Sequence, residues 1–150
     1  MRHALLIAGF LFCAVLAWGK HVSAEPSVPA DLAPALSAND PGLEEEVLVR
    51  IHGRAFMPAT VRVHAGQKTK LVFMNQDAEL HAFVPGTLFN GISLNVGGNG
   101  APEFGDQGFR RVIIPGEGVV ELRFVLEQRG RYPFICDMPG HEMRATLVVE

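Results

Sequence analysis

The chain has 150 residues, a formal net charge of −3, 48% hydrophobic residues and 19% charged ones. That is enough apolar chain for one globular core. From Val47 onward eleven Lys and Arg face ten Asp and Glu, a balance that argues against nucleic acid or an anionic membrane surface as a partner.

Residues 1–24 begin with Arg2, run through the apolar stretch "ALLIAGFLFCAVLAW" and end in "VSA". This three-part layout predicts a secretory signal peptide cleaved after Ala24, hence an exported, periplasmic protein with no membrane insertion afterwards. The apolar stretch is short for a membrane span, which disfavours a retained anchor. Bulky Leu11 and Phe12 before Cys13 disfavour a lipid anchor. Cys13 leaves with the leader, so the mature chain keeps one cysteine, Cys136. A single thiol in an oxidising compartment is either an inert buried residue, half of an intermolecular disulfide, or a functional group.

Residues 25–44, with four prolines and no sustained period, read as a flexible linker. The domain is expected over 45–150. Short β-type runs follow at 47–52, 60–66, 69–75, 81–85, 110–114, 119–125, 131–136 and 145–149. None carries a helical period over a dozen residues. The pattern predicts an all-β fold, a Greek-key sandwich or barrel of about seven to eight strands. Between Gly86 and Phe109 lies a long Gly- and Asn-rich connection, of a length usually functional or flexible. A turn of helix or a short strand is expected near "ISLNV", with Leu88, Phe89, Ile92 and Leu94 either covering the core or forming a docking surface.

The last run is interrupted by chemistry. Within "CDMPGHEM", Cys136, His141 and Met143 bring a thiolate, an imidazole and a thioether together, donors that select a soft or borderline metal. A further ligand from elsewhere is needed, and His81, at the start of its strand, is the candidate. Two imidazoles and a thiolate with a weak axial thioether form the donor set of a blue copper site.

Here a resemblance enters. "RAFMPATVRVHAGQKTKLVFMNQDAELHAF" and "GRYPFICDMPGHEMRATLVVE" resemble the cupredoxin family, the plastocyanin, azurin and amicyanin group, through Phe56, Pro58, Val63, Gly66, Asn75 and His81 and then Gly130, Tyr132, Phe134 and Cys136. The likeness spans about residues 47–150, outside the Gly-rich connection. It implies one type 1 copper held by His81, Cys136, His141 and, as axial ligand, Met143. Three departures stand out. One residue separates His141 from Met143, fewer than the family's usual two to four, which leaves Met138 as a competing thioether. Ala82 stands where the family often has an Asn that ties the ligand loops together. Pro133 falls in the last strand before Cys136, a place suited only to a sheet edge or bulge.

Other polar residues are expected to be bystanders: His52 and His64 structural or solvated, Asp137 and Glu142 solvated loop charges, Arg110 and Arg111 surface charge. No nucleophile motif, phosphate-cradling Gly motif or His-x-His pair is present, so a carrier is expected and not an enzyme. The resemblance implies a monomeric one-electron carrier that docks a redox protein at an exposed edge of His141, ringed by Met138, Pro139 and Gly140 with Leu88 or Phe89. The alternative is a copper-handling protein that exchanges metal with a donor or acceptor, helped by Met57, Met74, Met138 and Met143. Colour and reversible redox cycling separate the two.

Overall fold

Alternation of inward apolar and outward polar residues sets the architecture. The clearest case is Val119–Val125, where Val120, Leu122 and Phe124 are buried while Glu121 and Arg123 face outward, the period-2 signature of a strand with one face on the core. The computed structural model describes residues 43–150; the expected signal peptide and nearly all of the expected linker lie outside the described residues. Eleven strands and no helix are present among them: β1 (Glu45–Ile51), β2 (Phe56–Met57), β3 (Thr60–Val63), β4 (Lys68–Asn75), β5 (His81–Phe83), β6 (Asn95–Gly98), β7 (Ala101–Gly105), β8 (Gly108–Ile114), β9 (Val119–Val125), β10 (Gly130–Ile135) and β11 (Arg144–Val149). No helix there is long and apolar enough to cross a membrane.

The strands form three sheets, in the orders β2-β1-β4-β9-β6, β10-β11-β3 and β5-β8-β7. Only the β1–β4 and β11–β3 pairs are parallel; the other ladders are antiparallel. The all-β sandwich expected from the sequence is the observed fold, with three strands more than the upper count expected. One is the two-residue β2. The other two, β6 and β7, lie inside the Gly-rich connection, where β6 overlaps the short strand expected near "ISLNV". After a turn region over 86–91 the connection pairs β6 with β9 and β7 with β8. Leu88 and Phe89 are buried, and Phe89 stacks 5.0 Å from Phe124 and 5.8 Å from Phe109. Leu88 and Phe89 thus cover the core, with Ile92 and Leu94 partly buried against it. Pro133 sits on β10, the outer strand of its sheet, where a missing N–H is tolerated.

An aromatic cluster underlies one end of the sandwich. Phe73 and Phe83 lie 4.6 Å apart, Phe83 and Phe134 5.1 Å, and Phe56 and Phe134 4.9 Å. Because side chains two apart on a strand share a face, buried Phe83 carries His81 inward with it, and buried Phe134 does the same for Cys136. A two-bond bridge between Val84 and Ile135, at 3.0 and 3.2 Å, joins the strands that bear them.

Candidate metal centre

The ligand loop after β10 is closed by its own main chain. The Cys136 N–H donates to the Met143 carbonyl at 3.2 Å, and the His141 N–H to the Met138 carbonyl at 3.0 Å. The second bond spans Met138-Pro139-Gly140-His141, with Gly140 at φ +77°. Pro at the second position and a positive-φ Gly at the third are the signature of a type II turn. This turn folds His141 back over Cys136.

His81, Cys136 and His141 meet there. Their ligand atoms lie within 4.8 Å of one another: the Cys136 sulfur is 3.4 Å from His141 Nδ1 and 4.0 Å from His81 Nδ1, and the two rings are 4.9 Å apart. Donors bonded to one ion at about 2.0–2.3 Å lie within about 4.6 Å of each other, so the spacing of sulfur and nitrogens suits a single ion. Both rings turn Nδ1 inward. His81 is fully buried and Cys136 nearly so. One soft thiolate and two imidazoles in a dry pocket fit copper. Met143 is buried in the core beside this loop, whereas Met138 is only partly buried against it.

The other face of each imidazole meets a carboxylate. His81 Nε2 is 3.0 Å from Asp77 Oδ2, and His141 Nε2 is 3.5 Å from Glu79 Oε2. Asp77 also accepts the main-chain N–H groups of Gly53 and Arg54 at 2.8 and 3.1 Å. Burial pushes its carboxyl up, but these N–H groups and His81 outweigh it and hold Asp77 below its ordinary range. The Arg54 guanidinium grips Glu79 with two bonds of 2.6 and 2.7 Å and lowers its carboxyl likewise. Buried Asn75 organises the segment between. Its amide donates to the Glu79 and Pro115 carbonyls, and its oxygen accepts the Asp77 N–H.

His81, Cys136 and His141 come together, with corrections around them. The His141 imidazole is not an exposed edge, since its side chain is 5% exposed beneath Glu79. Leu88 and Phe89 are interior and cannot ring it. Asp137 is not a free loop charge, nor is Arg111 plain surface charge: Arg111 is two-pronged on Glu103 and also binds both oxygens of Asp137. That ties β7, β8 and the ligand loop together. The Ala82 N–H donates to the Cys136 sulfur at 3.3 Å. His64 bonds Glu45, and His52 is exposed beside Asp77, consistent with structural or solvated roles. Asp77, Glu79 and Arg54 escaped the sequence reading. None of the three left a pattern in the sequence: the stretch from Gln76 to Leu80 is a bend between two strands, with no periodicity to read.

A family model described as a cupredoxin-like domain matches residues 9–149. Comparison with curated proteins gave no match. Among solved structures, auracyanin A, a "blue" copper protein from the green thermophilic photosynthetic bacterium Chloroflexus aurantiacus, is 21% identical with a TM-score of 0.53, over 72% of this chain and 100% of its own. Auracyanin B is 21% identical at 0.52, over 71% and 88%. An oxidised amicyanin mutant is 18% identical at 0.46, over 69% and 81%. With a family model spanning nearly the whole chain, over a sandwich that brings two histidines and a cysteine to one end, this protein belongs to the cupredoxin family.

Proposed function

We propose that the protein is a periplasmic one-electron carrier with a single type 1 copper held by His81, Cys136 and His141 and weakly by Met143. Copper in such a site supplies a one-electron couple. The chain's own residues do the rest. The Ala82 N–H steadies the Cys136 sulfur, the β5–β10 bridge and the type II turn fix both imidazoles, and the carboxylates behind them hold each ring with Nδ1 toward the ion. A pocket fixed on every side has little to rearrange when the charge of its ion changes. No catalytic residue is assigned, and the partner is a redox protein.

The observation carrying this reading is the meeting of the Cys136 sulfur with both Nδ1 atoms inside a buried pocket. Burial also favours electron transfer over copper handling, since a metal passed between proteins needs ligands that a partner can reach. The test is spectroscopic. Cu(II)-loaded protein is expected to show intense visible absorption from thiolate-to-copper charge transfer and to cycle reversibly, and Cys136→Ser to be colourless. Colourless wild-type Cu(II) protein would overturn the assignment.

A further inference from the structure

The turn joining β1 to β2 spans His52–Ala55 and is closed by two main-chain bonds, His52 N–H to the Ala55 carbonyl at 3.1 Å and the reverse at 3.2 Å. Its two central residues, Gly53 and Arg54, both have positive φ, +59° and +56°. A two-residue hairpin of this kind wants Gly or Asn at its centre. An arginine in the left-handed region is strained, and backbone strain of this sort clusters where a side chain is needed. What Arg54 does there is specific. Its N–H goes to the carboxylate behind His81, and its guanidinium takes both oxygens of Glu79, which lies against His141. Glu79 is itself 38% exposed while the imidazole under it is 5% exposed.

Resting on the copper reading above, we propose that Glu79, clamped by Arg54, is a positioning residue for the His141 ligand: a charged lid that covers the ring edge, keeps the proton on Nε2 and biases the bound copper toward Cu(II). The tautomer follows from geometry. A carboxylate facing Nε2 favours a proton there, which leaves the Nδ1 lone pair for the ion. The bias follows from charge, because a fixed negative group near the centre stabilises the more positive oxidation state. The lid also alters the route of the electron, which leaves past an Arg–Glu pair and not from a bare ring edge.

Three variants test this in the full-length copper protein. Glu79→Gln keeps the shape of the lid and removes its charge, so the reduction potential is expected to rise. Glu79→Ala removes the cover. Arg54→Gly releases the clamp while placing the residue the turn prefers, so its fold is expected to be retained even if Glu79→Ala proves unstable. In the Cu(I) form, NMR exchange of the His141 Nε2–H is expected to be slow in wild type and at least tenfold faster in Glu79→Ala and Arg54→Gly. Variants that stay blue with the wild-type potential in Glu79→Gln and wild-type exchange in the other two would overturn the lid and leave the copper reading intact. A wild-type protein that takes up Cu(II) without the blue band would overturn both.

Discussion

At the scale of single residues, Asn75 and Met143 separate structure from coordination. The Asn75 amide is buried and serves three main-chain partners. Leaving such buried groups unpaired costs about 1–3 kcal/mol, so Asn75→Ala is expected to lower the unfolding free energy read from urea denaturation by about that much and to loosen the segment carrying Asp77 and Glu79. For the thioether, Met143→Leu keeps volume, and such a swap usually costs under about 1.5 kcal/mol. The copper-loaded variant is expected to change its absorption and potential, while Met138→Leu leaves both in place. The reverse result would move the axial role to Met138. The thiolate and imidazoles were legible in the sequence because few structural roles call for Cys, His and Met so close together. The carboxylates behind the rings were not, because a carboxylate looks the same in sequence whether it is solvated or set against an imidazole.

Among elements, the ligand loop and the 75–81 segment depend on two glycines for different reasons. Gly140 has open space around the position a Cβ would take, but its φ is +77°. Gly140→Ala is therefore expected to cost about 1–2 kcal/mol through backbone strain alone. Gly116 is the converse, since a Cβ there would fall 2.2 Å from the Ala78 carbonyl oxygen. Gly116→Ala must push away the segment bearing Asp77 and Glu79. Its expected signature is a shifted copper spectrum as well as lowered stability, measured against Gly140→Ala. The eight expected strands follow from alternation or apolar runs. β6 was foreseen only as a short strand or helical turn near "ISLNV" and β7 not at all, because β6 reads "NVGG" and β7 "APEFG", with little side-chain pattern to betray pairing that main-chain bonds to β9 and β8 supply.

For the whole molecule, acid stability has a definite sign. The Glu103 and Glu121 carboxyls are held below their ordinary 4.5, chiefly by hydrogen bonds from Arg111 and Arg123 respectively. A folded-state value below the unfolded one means a contribution fully present above pH 4.5 and lost as pH falls through the lower folded value. Chemical-denaturation midpoints are thus expected to fall as pH drops below about 4.5, and to fall less in high salt because these pairs are partly exposed. The sequence by itself indicated that the chain is all-β and which residues are candidate metal ligands, because periodicity and donor chemistry are local properties. Only the tertiary structure decided that the His141 ring is covered, that Arg111 ties β7 and β8 to the ligand loop through Glu103 and Asp137, and that one hairpin turn reaches the carboxylates behind both histidines. Those facts depend on contacts between residues 23 or more positions apart, which the packing of strands creates and no local pattern records.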